Sequence, residues 1–330
     1  MPRKTNKHML KIISFSLFIL SIILIGFSST SIAASTTYEP AINKGTVTYT
    51  VNQYNKEKWE DTVDRELEPD DFFDGDSDEV GARSRVTIKN LGDYEWDLYD
   101  ALIFFFDVES FIPDDELNQT ETLFLLSFLS KDYVDEMFPE EHDVWEALTV
   151  QWDFETEEFE ESPDDKTYIL PIFKEPKNYR DILDDYNEWA LSLNITMISL
   201  GIEPFPILDG DDFLWLLIKS GIFTIARPFN NYLTTLIDKL GCDDADVKGN
   251  TLILERKGEE DYLIEVTFSD QGIISSLIIK NDDDRVIYEI IQDKTDIIAL
   301  YVFLGAVIAG LLGTIYLLVK RKKSLIKMRE

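Results

Sequence analysis

The sequence predicts an α+β fold. A mixed, acidic external domain sits on a single membrane-spanning helix, with an antiparallel β-meander at its carboxy-terminal end packed with helices. Three observations predict this. Residues 297–319 (IIALYVFLGAVIAGLLGTIYLLV) carry no charge over 23 positions. From residue 250 the apolar period is two, interrupted by short polar breaks, whereas between residues 179 and 241 it is helical.

The apolar run comes first because it fixes topology. As a helix rising ~1.5 Å per residue it is roughly 34 Å long, enough to cross the hydrocarbon layer. Tyr301 and Tyr316 lie near its ends, where phenols meet the interface. Lys320, Arg321, Lys322 and Lys323 follow it directly, while Asp293 and Asp296 precede it. Positive charge stays inside, so residues 320–330 are expected to form a cytoplasmic tail and the acidic bulk to lie outside. The amino terminus agrees: basic MPRKTNKHMLK, apolar IISFSLFILSIILIGF, then small SSTSIAAS, the order of a signal peptide. Cleavage is expected after Ala33 or Ser35, an uncleaved anchor being the alternative. The expected layout is therefore a signal segment 1–35, an external domain 36–296 with a subdivision near 176 as its variant, a span 297–319 and a tail 320–330.

Within the span, Gly305, Ala309 and Gly313 recur every four residues, a small-residue stripe that lets two membrane helices approach closely and suggests a homodimer. The lipid bilayer is the first expected partner, and the basic tail suits anionic inner-leaflet lipid.

Charge bounds the other partners. The chain has 64 acidic and 31 basic residues, and residues 35–296 hold 63 and 21 of them, a net of −42 over 262 residues. Such a surface repels nucleic acid and attracts metal cations and basic or cell-surface protein partners. The single cysteine, Cys242, excludes an intrachain disulfide and reads as a small apolar residue near a turn.

Along the external region, GTVTYTVNQY (45–54) alternates as a strand with Val47, Tyr49 and Val51 on one face. Residues 57–81 are acidic and broken, and read as a surface excursion. SRVTIKNL (84–91) returns to strand character as the natural partner of 45–54. Residues 94–113 fit a buried strand or a helix, and 114–138 fit a helix capped by Asp114 or Asp115 and closed before Pro139. LTVQWDFET (148–156) reads as a strand, and TYILPIF (167–173) as an edge strand because Pro171 cannot donate to a ladder. Helices are expected over 179–194, 211–221 and 228–241, the last with proline near its start and glycine at its end. Four strands then follow, separated by KGEE, SDQG and NDDD. The strands before and after the helical middle are expected to join a common sheet.

Candidate chemistry is sparse. DGDSDE places Asp74, Asp76 and Asp78 on alternate positions with Glu79 adjacent, a weak calcium candidate that lacks the glycine and closing glutamate of a helix–loop–helix site. Outside the signal region the only histidine is His142, which excludes a zinc site built on several imidazoles and is read as a surface histidine. There is no nucleophile elbow, phosphate loop or dinucleotide fingerprint, so no enzyme and no cofactor are expected. Asn118 (NQT) and Asn194 (NIT) are glycosylation sequons on the external side.

The layout of residues 1–35 and 297–323 resembles that of archaeal and bacterial cell-surface proteins with a signal peptide, one external domain and a carboxy-terminal anchor. The meander at 250–291 is similar to the half-barrel sheets of lipoprotein-carrier folds, a likeness of fold that transfers no activity. The expected function is a membrane-anchored surface domain for protein interaction or envelope structure. The alternatives are binding of a lipid or other hydrophobic ligand at the membrane surface and, behind it, a carboxylate-dependent hydrolase.

Overall fold

The computed structural model describes residues 37–63, 67–106, 127–157, 159, 166–221 and 223–293. The expected signal segment, the span 297–319 with Gly305, Ala309 and Gly313, the basic run Lys320, Arg321, Lys322 and Lys323, and the sequon at Asn118 lie outside the described residues. Among the described residues no helix is long and apolar enough to cross a membrane.

Nine antiparallel strands form one sheet that curls into a half-barrel. They are β1 (Gly45–Tyr54), β2 (Arg83–Trp96), β3 (His142–Glu155), β4 (Thr167–Phe173), β5 (Ala245–Lys248), β6 (Thr251–Lys257), β7 (Asp261–Phe268), β8 (Ile274–Asn281) and β9 (Val286–Gln292). Their order across the sheet is β4-β3-β2-β1-β9-β8-β7-β6-β5. Two meanders, one from each half of the chain, are thus fused through β1 and β9, where Val51 lies opposite Ile290. The expected pairing of the two amino-terminal strands is present, with Val47 opposite Val86.

Side-chain alternation explains the curl. Leu252, Val266, Leu277, Ile290 and Val51 occupy one cross-strand row over β6, β7, β8, β9 and β1, and all five are buried. Their neighbours along β7, Leu263, Glu265 and Thr267, face the other way, where Glu265 Oε1 meets Lys280 Nζ at 2.8 Å. One face is therefore a core and the other is wet.

Six α-helices are present among the described residues: α1 (Lys56–Thr62), α2 (Leu98–Phe104), α3 (Lys131–Met137), α4 (Asn178–Leu200), α5 (Gly210–Lys219) and α6 (Phe229–Leu240). The last three fill the connection from β4 to β5 and cover the inner face. Tyr179 of α4 packs edge-on to Phe173 of β4 at 4.7 Å, and Tyr232 of α6 donates to the Phe173 carbonyl at 2.7 Å. Gly272, in the turn before β8, has φ +76° and accepts from Ile225 N–H at 2.9 Å. A Cβ there would meet the Ile225 carbonyl oxygen at 2.1 Å, so this seam between helix layer and sheet needs glycine.

Several expectations change. The segment 57–81 is not surface throughout: Asn55 caps α1, and Trp59, 1% exposed, sits edge-on to Tyr288 at 5.4 Å. One large ring among acidic neighbours anchors this segment without leaving a periodic signal. Residues 98–104 are helical, held by a reciprocal cap between Asp97 and Asp100. The single helix expected over 114–138 is interrupted by a turn at Leu129 and Ser130 before α3; its part over 114–126 lies outside the described residues. Strand β3 begins six residues earlier than expected, at His142, and α4 continues to Leu200 because nothing breaks it before Gly201. β4 is the edge strand, as Pro171 requires. The short, polar β5 went unforeseen.

Candidate functional site: an apolar cleft with an acidic lip

Between the concave face and the connection from α5 to α6 lies an inner chamber of ≈ 70 Å³. Its floor is the alternation just described: Tyr49 and Val86 from β1 and β2, Phe154 from β3, Leu277 and Ile290 from β8 and β9, roofed by Phe223. The hydroxyls in its wall have partners already. Tyr49 Oη donates to the Ile274 carbonyl (2.9 Å), Ser84 Oγ to the Trp152 carbonyl (2.6 Å) and Thr224 Oγ1 to the Pro171 carbonyl (3.2 Å). Burial pushes the Tyr49 phenol well above its ordinary value, so it stays neutral. What remains for an occupant is apolar contact.

Phe73, Ser84, Gln151, Phe154 and Gly221 also line a wider outer cleft of ≈ 450 Å³, so the two spaces share a wall. Trp152, Tyr168, Ile103 and Phe104 give it apolar sides, while Asp70, Asp71, Asp74 and Asp153 form an acidic lip. Lys166 lies 2.6 Å from Asp153 and 3.7 Å from Asp74, and Lys219 sits 5.7 Å from the centre of the Phe72 ring. Two lysines against four carboxylates leave the lip negative.

The DGDSDE segment shapes this lip. Gly75 bridges to Phe154, Asp76 N–H donates to the Phe154 carbonyl (2.7 Å), and Phe154 N–H donates to the Asp74 carbonyl (2.8 Å). Gly75 has φ +89°, and a Cβ there would meet the Phe154 carbonyl oxygen at 2.3 Å. Asp76 Oδ2 accepts from Thr156 N–H and Oγ1, both at 3.2 Å, while Asp78 and Glu79 are exposed. Among the described residues, Asp74, Asp76, Asp78 and Glu79 do not bring three ligand atoms within 4.8 Å of one another.

The other sequence candidates fall elsewhere. Asn194 is half-buried on α4, its amide bridging both ways to the Phe205 backbone at 2.7 and 2.9 Å, so a glycan there competes with a structural contact. Cys242 is half-buried after α6, its thiol pushed up by burial and then by Asp211. His142 is no surface residue: it is 3% exposed at the start of β3. Burial lowers its pKa, against the raising influence of Glu140 and Asp181. Glu140 and Asp181 were not singled out from the sequence. The Glu-x-His spacing was visible, but its third member arrives from another element.

No family model, curated protein or solved structure matches the chain. The functional reading therefore rests on the chain's own geometry.

Proposed function

We propose that the chain is a membrane-tethered external binding domain, without a catalytic role, that takes the apolar end of an amphiphile at the bilayer surface. The observation that carries this reading is the pair of adjoining spaces: an apolar chamber whose wall hydroxyls have partners, sharing a wall with a wider cleft that has an acidic lip. The outer volume falls within the usual range for small-molecule sites, whereas the chamber is far smaller. The chamber accordingly accepts the tip of a chain and the outer cleft the remainder. An acidic lip favours a neutral, zwitterionic or cationic head over an anionic one.

The tether supports the same reading. Asp293 N–H donates to the Thr48 carbonyl at 2.7 Å, and only residues 294–296 separate it from the expected span. Four extended steps reach at most about 14 Å. Ile273, Ile274 and Ile290, which line the chamber, belong to this end of the sheet, which supports a cleft that opens close to the lipid.

The test is titration of the delipidated protein with uncharged, cationic and anionic amphiphiles of equal chain length, followed by tryptophan emission with Trp152→Phe as control. The uncharged and cationic members should bind at least tenfold more tightly than the anionic one. Leu277→Phe, which extends a ring into the chamber, should weaken all three without lowering the unfolding midpoint by more than a few degrees. Equal binding by Leu277→Phe sinks the reading.

A second reading, docking of a protein partner for interaction or envelope structure, draws on α4. Leu191, Ile195 and Ile198 share one face of that helix and are 57%, 77% and 64% exposed. Ile195→Lys separates the two readings: loss of a co-purifying partner with unchanged amphiphile binding selects the second.

A further inference from the structure

We infer that Glu140, His142 and Asp181 form a binding site for one divalent transition-metal ion of the zinc type, with a coordination position left for a further ligand. The three come from two directions. Glu140 and His142 lie two apart where the chain enters β3, and Asp181 lies in the first turn of α4. One ligand atom from each lies within 4.8 Å of the other two.

The independent observation is the imidazole itself. His142 is 3% exposed, and its Nε2 is buried without a hydrogen-bond partner. Buried polar atoms are nearly always paired, and a bare one on a ring that brings a nitrogen within 4.8 Å of two carboxylates is accounted for by an ion that all three residues would ligate. Metal–ligand bonds of about 2.0–2.1 Å place tetrahedral ligands about 3.4 Å apart, so the cluster must contract. Glu140 is exposed and precedes the strand, and its side chain can supply that movement. The nearby Lys177 is held by Glu175 at 3.5 Å.

Donor type selects the ion. An imidazole with two carboxylates suits zinc and its first-row neighbours, whereas calcium takes six to eight oxygens and magnesium keeps most of its water. Three protein ligands also match the open form of a zinc site, in which water or a substrate group completes the sphere.

The test uses the full chain in detergent, stripped with a chelator and titrated with Co²⁺ in excess Mg²⁺. One equivalent of Co²⁺ per chain should bind with visible absorption bands of a low-coordinate nitrogen–oxygen site, and Zn²⁺ should displace it. Replacing buried His142 can disturb β3, so the carboxylates carry the decision. Glu140→Gln and Asp181→Asn should each weaken binding at least tenfold, whereas Glu141→Gln should leave it unchanged. Absence of stoichiometric Co²⁺ under excess Mg²⁺, or binding that survives either carboxylate change, overturns the site as stated.

Discussion

Asp97 shows how a single carboxylate serves this acidic chain. It caps α2 by accepting from Asp100 N–H at 3.0 Å, and Lys131 Nζ lies 2.6 Å away. Burial acts to raise its pKa, but the Lys131 hydrogen bond, the Asp100 N–H and the Lys131 charge together hold the carboxyl below its ordinary value. Asp100, alongside, is pushed up by burial and by the Asp97 charge. A carboxyl lowered on folding stabilises the native state above its unfolded pKa, and that contribution is lost as pH falls through the folded value. Asp97→Asn keeps a capping oxygen but removes the charge. Relief of Asp100 offsets part of the loss, so a cost of under ~1 kcal/mol at pH 7 is expected. Asp97→Ala should cost about 1 kcal/mol more, because the cap also goes. Urea unfolding from pH 7 to pH 3 checks both: the cost of Asp97→Asn should fade towards the acid end, and the gap between the two variants should persist. A pH-independent cost for Asp97→Asn would mean that the ion pair contributes nothing.

At the scale of elements, the legible parts of the sequence were those whose environment repeats. Strands β6 to β8 alternate core positions with more exposed ones, so their period was plain, and Pro171 marked β4 as an edge. The α6 stripe was equally readable, since Leu233, Leu236 and Leu240 are all buried. What failed to show was whatever depends on one contact or on partners far apart in the chain. Trp59 is the clearest case. Its indole is buried between Tyr54 and Tyr288, and its Nε1 donates to the Leu67 carbonyl at 2.6 Å, yet its immediate neighbours are charged. Trp59→Ala should therefore cost about 3–5 kcal/mol, a core value. Urea unfolding with an unchanged denaturant slope is the measurement, and a cost below ~1 kcal/mol would return the segment to the surface. The cleft was illegible for the same reason: Phe73, Phe154, Leu277 and Ile290 come from four separate segments and meet only through the sheet. So was the Glu140–His142–Asp181 group, which needs β3 and α4 to be placed before its members become neighbours.

For the whole molecule, the decisive quantity is charge. Residues 35–296 carry a net −42, and the ion pairs on the surface are scattered: Lys56–Glu60, Lys58–Asp61 and Arg180–Asp184 are all well exposed and each worth ~1 kcal/mol or less. They do not offset repulsion among the remaining carboxylates, which the folded state holds closer together than an expanded chain does. Screening length falls from about 30 Å at 0.01 M salt to about 3 Å at 1 M, so added salt should remove most of this repulsion. A gain of about 2 kcal/mol is expected, which for a domain of this size corresponds to about 4–8 °C in Tm. NaCl and KCl should act alike and gradually over the whole range from about 0.01 M to about 1 M, whereas an ion held by Glu140, His142 and Asp181 should raise Tm at stoichiometric amounts and then stop. Thermal unfolding of chelator-treated protein across that salt range separates the two behaviours. A Tm that stays flat from low to high NaCl would mean that local pairing already balances the acidic surface.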